Sequence, residues 1–147
     1  MKLVVLSVLV WINMFGASYS TSSEWLMNIK EDKAKFQEIQ KQFRGFDTVM
    51  MEVGYRYEAT KKAIDKSEYD LAMYHWNKIK TAIDNGTVRR PARKESADDF
   101  FLKSVYSEFS DVLNSRDKTK INTAFDTIKN VCNGCHVNQK VGFIVIE

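Results

Sequence analysis

Two cysteines stand alone in a chain of 147 residues, three positions apart, with a histidine directly after the second: Cys132-Asn133-Gly134-Cys135-His136. These residue types at this spacing fit covalent attachment of a porphyrin. Two thiols add across its two vinyl groups, and the adjacent imidazole reaches the iron as an axial ligand. On a helix, residues i and i+3 share a face and can grip neighbouring edges of one macrocycle, while the next residue is carried underneath toward its centre. Asn133 and Gly134 are small, which suits a close approach of backbone to ring. Scattering two Cys and two His over this chain at random would give the pattern with a probability of roughly 2 in 10,000, so accident is a poor explanation.

Three other chemistries use the same residues. A disulfide between i and i+3 is strained in a helix and closes almost no loop. A thiol-disulfide exchange site follows a strand in a βαβ unit, and no strand signal precedes these cysteines. A zinc site needs four ligands, and only His75 is left to join Cys132, Cys135 and His136. Each is weaker than a haem.

The elements that must position the motif read as helices. Pro91 is the only proline, and so few breakers favour long helices over a turn-rich β fold. Phe36, Ile39, Phe43, Phe46, Met50, Val53, Tyr57, Thr60 and Ile64 recur at 3-4 spacing, one stripe along one helix side. Gly45 can divide that stretch, with Asp47 or Thr48 capping its second part, and Ser22 or Ser23 can cap an earlier beginning through Trp25, Leu26 and Ile29. Ser67 opens a second helix carrying Tyr69, Ala72, Met73, Trp76, Ile79 and Ile83, and Asn85-Gly86 predicts its end.

After the basic connection Arg89, Arg90, Pro91, Arg93 and Lys94, Ser96 caps a third helix with Phe101, Leu102, Val105, Phe109 and Val112, ending near Asn114. The fourth opens around Asp117 or Thr119 and sets Ile121, Phe125, Ile128, Cys132 and Cys135 on one face. The cysteines thus continue the core stripe of the last helix. The expectation is all-α, an antiparallel four-helix bundle with the haem on its last helix. Gly142 to Ile146 is expected to pack on the bundle as a tail, not a strand.

With the motif near the carboxyl end of a four-helix chain, the sequence resembles the class II c-type cytochromes, the cytochrome c prime family. The likeness covers most of the chain in architecture, and only the motif is specific. It implies one haem c, thioether-linked through Cys132 and Cys135, with His136 as proximal iron ligand. It also implies a propionate contact from Lys140, four residues beyond His136; the alternative there is a solvated lysine. The family places the distal iron position on the first helix. Met50 is the candidate in that region, since its seam points inward and Gly54 leaves room for a flat ring, although a methionine also fills core. His75 lies off its helix's apolar stripe and is a poor sixth ligand.

Residues 1–20 read as a secretory signal peptide, with an uncleaved amino-terminal anchor as the alternative: Met1-Lys2, an apolar run from Leu3 to Phe15, and the stretch Gly16-Ala17-Ser18-Tyr19-Ser20. Residues 21–147 are then expected to form a single haem-binding domain. The formal net charge of +3 gives no case for a nucleic-acid partner. The basic connection reads as a solvated loop, with a propionate anchor or a patch for an acidic partner as alternatives.

The functional expectation is a periplasmic electron carrier, not an enzyme, exchanging single electrons with periplasmic redox proteins. The alternative is a protein that binds nitric oxide or carbon monoxide at an open distal site. A peroxidase-like activity lacks a distal His with an Arg partner. Pairing into a homodimer stays open.

Overall fold

The computed structural model describes residues 24–147, so the expected signal segment at 1–20 lies outside the described residues. Among these residues the regular structure is entirely helical, with no strand. The described residues divide into two compact units, parted between Ile39 and Gln40. In the first, the segment around Trp25 and Leu26 is a turn, closed by Met27 N–H donating to the Glu24 carbonyl at 2.9 Å. It does not begin a helix. Helix α1 (Asp32–Gln42) starts after it and buries no residue. Phe36, which opens the apolar stripe in the sequence, is 70% exposed.

The second unit is a helical bundle of α2 (Phe46–Asp65), α3 (Tyr69–Arg89), a broken third segment, and α6 (Lys118–Asn138). The third segment runs through a 3-10 turn (Pro91–Arg93), α4 (Lys94–Ala97), a π-helical stretch (Asp98–Leu102) and α5 (Val105–Asn114). Gly45 divides the first long periodic stretch, as expected, but neither Asp47 nor Thr48 caps α2: Gly45 itself holds the cap position without a side-chain bond, and Asp47, inside the first turn, accepts the Gly45 N–H at 3.1 Å. Asp117 caps α6, its carboxylate accepting from the backbone N–H of Thr119 and Lys120 at 3.0 and 3.1 Å. This satisfies two amides that the helix start leaves without intrahelical acceptors.

Three expected boundaries move. Ser67 does not cap α3; it sits at φ 60, where its N–H donates to the Ile64 carbonyl and the Glu68 N–H to that of Ala63, both at 2.9 Å, closing the end of α2. α3 does not stop at Asn85-Gly86 but runs on to Arg89. A Cβ on Gly86 would lie 2.8 Å from Phe46 Cε2, so this glycine lets α2 pack closely on α3. Ser96 lies inside α4 and donates its hydroxyl to Asn138 Oδ1 at 2.7 Å.

The core follows the apolar stripes. Trp76 is fully buried and meets Phe109 edge-on, with ring centroids 4.7 Å apart. Its indole N–H donates to the Tyr106 carbonyl at 3.0 Å, giving the one polar atom of the ring a partner. Tyr57 stacks on Phe125 at 4.6 Å. Ile64, Leu113 and Ile121 fill the space near the α2–α3 and α5–α6 turns.

Candidate cofactor-binding site

A mostly apolar cavity of about 500 Å³ opens in the second unit. That is within the range of about 300 to 1,000 Å³ of small-molecule and cofactor pockets. α6 contributes Cys132, Cys135 and His136, so all three motif residues line one cavity. α2 contributes Phe46, Met50, Val53, Gly54 and Tyr57, and α3 contributes Trp76, Ile79 and Ile83. The i, i+3 spacing of the cysteines puts both sulfurs on one helix face, and the core stripe of α6 runs directly into them.

Met50 and Met51 both line the cavity, but only Met50 packs on the core, and Met51 is 73% exposed. At Gly54 a Cβ would meet nothing within 4 Å, so there is open space beside α2 where a flat group could lie. At Gly134 a Cβ would come within 3.1 Å of Phe100 Cε1. The absent side chain at that position therefore makes room for an aromatic ring of the chain itself. Phe100 belongs to the π-helical stretch; the wider turn there is a feature often found beside functional sites.

His136 is held from behind. Its Nδ1 lies 2.7 Å from the Ile144 carbonyl oxygen. A carbonyl can only accept, so the bond requires the proton on Nδ1, and in the neutral ring this leaves Nε2 with a free lone pair. Metal-ligating histidines are held in this way, with the second ring nitrogen donating to a carbonyl or carboxylate.

The two thiols are kept protonated. Burial, reinforced by the neighbouring Cys135, pushes the Cys132 thiol up to about 11. Burial also raises Cys135, against the opposing charge of Arg93. An exchange cysteine needs a depressed pKa and an electropositive setting. Both thiols are raised instead, even with Arg93 beside Cys135, which weighs against thiol-disulfide exchange. Burial, with smaller contributions from Cys132 and Asp126, pushes the Tyr57 hydroxyl up to about 12, so this wall is uncharged as well.

Other residues singled out in the sequence fall elsewhere. Lys140 is exposed, sits at φ 60 just past α6, and does not line the cavity. The basic side chain that does line it, besides His136, is Arg93, which also donates to the Gln139 carbonyl at 3.4 Å and to the Gln139 side chain. His75 does not reach the cavity. Its Nδ1 lies 3.2 Å from Arg56 Nη1, and burial followed by the Arg56 charge lowers its pKa. It therefore cannot complete a zinc site with the cysteines. Among the described residues no group of three or more His, Cys, Asp and Glu side chains is arranged to hold a metal ion. Arg89 donates to the Phe43 carbonyl at 3.1 Å, tying the end of α3 to the residues before α2.

The sequence reading missed the walls supplied by Phe100, Gln139, Val141, Ile144 and Ile146. The available signal was the alternation in Ile144-Val145-Ile146, in which the first and third residues line the cavity while Val145 is 62% exposed. No helix among the described residues is long and apolar enough to cross a membrane. No protein family, curated protein or solved structure matches this chain.

Proposed function

We propose that this chain is an exported, single-haem c-type cytochrome that carries single electrons between periplasmic redox proteins and performs no bond-making chemistry of its own. In this reading the bundle is antiparallel and the haem sits on its last helix. The observation that carries the proposal is the convergence of Cys132, Cys135 and a His136 with a free Nε2 lone pair on one apolar cavity. Cys132 and Cys135 would hold the group through thioethers, and His136 would ligate its iron. When bound, the haem supplies a one-electron couple at the iron.

The chain's own residues do the rest. Phe46, Val53, Ile79 and Ile128 exclude water from the cavity. Met50 lies on the same cavity as His136, and a thioether sulfur on iron raises the potential. Arg93, which lines the cavity, is the cation placed to meet a carboxylate of the group, with Lys140 outside the lining as the second candidate. The open space at Gly54 favours a second reading, in which a diatomic gas occupies the distal side.

Mass and absorption spectra of the protein made in cells with working cytochrome maturation test both readings. The expected result is a coloured chain heavier by one haem, and a colourless double variant C132A/C135A. A reduced spectrum unchanged by carbon monoxide, made carbon-monoxide-sensitive by Met50→Ala, identifies the carrier. A wild-type spectrum that already shifts with carbon monoxide identifies the gas-binding protein. A colourless wild-type chain of unmodified mass overturns both.

A further inference from the structure

The segment after α6 is not a loose end. Lys140, at φ 60, reverses the chain: its N–H donates to the Val137 carbonyl at 3.0 Å, and the Val141 N–H donates to the His136 carbonyl at 2.9 Å. This is the hydrogen-bond pair that closes a helix through a left-handed residue. Gly142 then lies so close to α6 that a Cβ would be 3.1 Å from Val137 Cγ2. The tail next runs back along the helix toward the motif. Asn133 holds it at two points, with Nδ2 donating to the Ile146 carbonyl at 3.1 Å and Oδ1 accepting the Ile146 N–H at 2.8 Å. Between the reversal at Lys140 and the clamp at Ile146, the Ile144 carbonyl is set against His136 Nδ1 at 2.7 Å.

We propose that the carboxyl-terminal tail, clamped by Asn133, is the positioning element of His136: it fixes the ring's proton on Nδ1 and so presents Nε2 to the cavity. Asn133, between the two cysteines, does not line the cavity and is then a positioning residue. It acts on the histidine through the tail, since register fixed at Ile146 brings the carbonyl two residues earlier into reach. A bound Nδ1 proton also makes the imidazole a stronger electron donor through Nε2, which favours the oxidised form of a ligated iron. That last consequence rests on the haem reading above; the positioning itself does not.

The test has one arm for each. In the full chain produced without haem maturation, long-range proton–nitrogen spectra read which ring nitrogen of His136 carries the proton. Wild type is expected to be mainly Nδ1-protonated, and Asn133→Ala to lower the ratio of Nδ1- to Nε2-protonated ring by about five- to tenfold, the worth of one net hydrogen bond. Asn133→Asp keeps the acceptor for the Ile146 N–H and should fall between them. The Ile146 amide should lose hydrogen-exchange protection in Asn133→Ala. A chain ending at Gly142 should match Asn133→Ala; if it does not fold, Asn133→Ala alone decides, because alanine is a good helix residue.

In the haem-loaded protein, Asn133→Ala should raise the reduction potential. A wild-type ring protonated on Nε2, or a ratio unmoved by Asn133→Ala, overturns the proposal whether or not haem is present. A colourless chain with the expected tautomers supports the positioning and removes only the haem reading.

Discussion

The two ends of the bundle are made from the same helical segments and are packed in opposite ways. Around the α2–α3 and α5–α6 turns, Ile64, Leu113 and Ile121 are at most 1% exposed, and Arg116 pairs with Asp70 at 2.7 Å across the two turns. Lys118 also donates to the Asp65 carbonyl at 3.3 Å, so this end is closed by side chains and backbone together. At the other end Phe46, Met50, Phe100 and the motif residues surround a cavity. The layer of Trp76, Phe109 and Phe125 lies between the two regions, with Trp76 forming part of the cavity wall. A hollow end is tolerable because the filled end and the aromatic layer hold the helices; a protein interior packed to ordinary density would otherwise leave no such void.

The sharpest way to break this division is to empty the filled part. Phe109 is 1% exposed, so Phe109→Ala should cost about 3 to 5 kcal/mol, the cost of deleting a buried aromatic and leaving a void. In the haem-free chain Met50→Ala, on the cavity wall, should cost about 1 kcal/mol or less. Urea unfolding of the two variants beside wild type measures both, and equal losses would mean that the two ends are packed alike.

The thiols sharpen the same contrast by rate. With Cys132 pushed up to about 11 from an ordinary value of 9.0, alkylation of the haem-free chain at pH 8 should be slower at Cys132 than at an exposed cysteine by on the order of a hundredfold. The sign follows from the proton. The folded chain holds it to higher pH than the unfolded chain does, so stability declines as pH rises from the unfolded value toward about 11. Rapid alkylation of Cys132 at neutral pH would mean that the cavity wall is wet.

Much of this architecture was legible in periodicity. The core stripes of α2, α3 and α6, the break at Gly45 and the cap at Asp117 follow from residue type and spacing. The helix ends were harder, for a specific reason. Sequence reading looks for glycine where the chain must turn left-handed, yet Arg44, Ser67, Arg116 and Lys140 occupy those positions, and among the described residues no glycine has positive φ. In each case the stop is set by the hydrogen bonds of the helix end, and the cost of the left-handed residue is borne by the surrounding packing. Lys140 drew notice through the resemblance alone, and nothing in its residue type announced that its backbone forms the reversal that returns the tail to His136. The Ile144 carbonyl was not legible at all. A backbone acceptor has no residue type, and only the fold brings it to the ring.

Two glycines within the bundle's helices, Gly54 and Gly86, separate an open helix face from a closely packed one at the cavity end itself. Gly54 lies in α2 beside the cavity and Gly86 in α3 against Phe46, and neither has positive φ. Helix propensity alone predicts the same gain for both on substitution by alanine, about 0.5 to 1 kcal/mol. The neighbours differ. At Gly86 the new methyl would stand 2.8 Å from Phe46 Cε2 and 3.0 Å from Val49 Cγ2, so Gly86→Ala forces the helices apart and should cost about 1 to 3 kcal/mol. At Gly54 the methyl meets nothing within 4 Å, so Gly54→Ala should keep the propensity gain in the haem-free chain. Thermal or urea unfolding of both variants would then give shifts of opposite sign. If Gly54→Ala also destabilised the chain, the space beside α2 would be filled by something, and the cavity would lose the side on which a flat group is expected to lie.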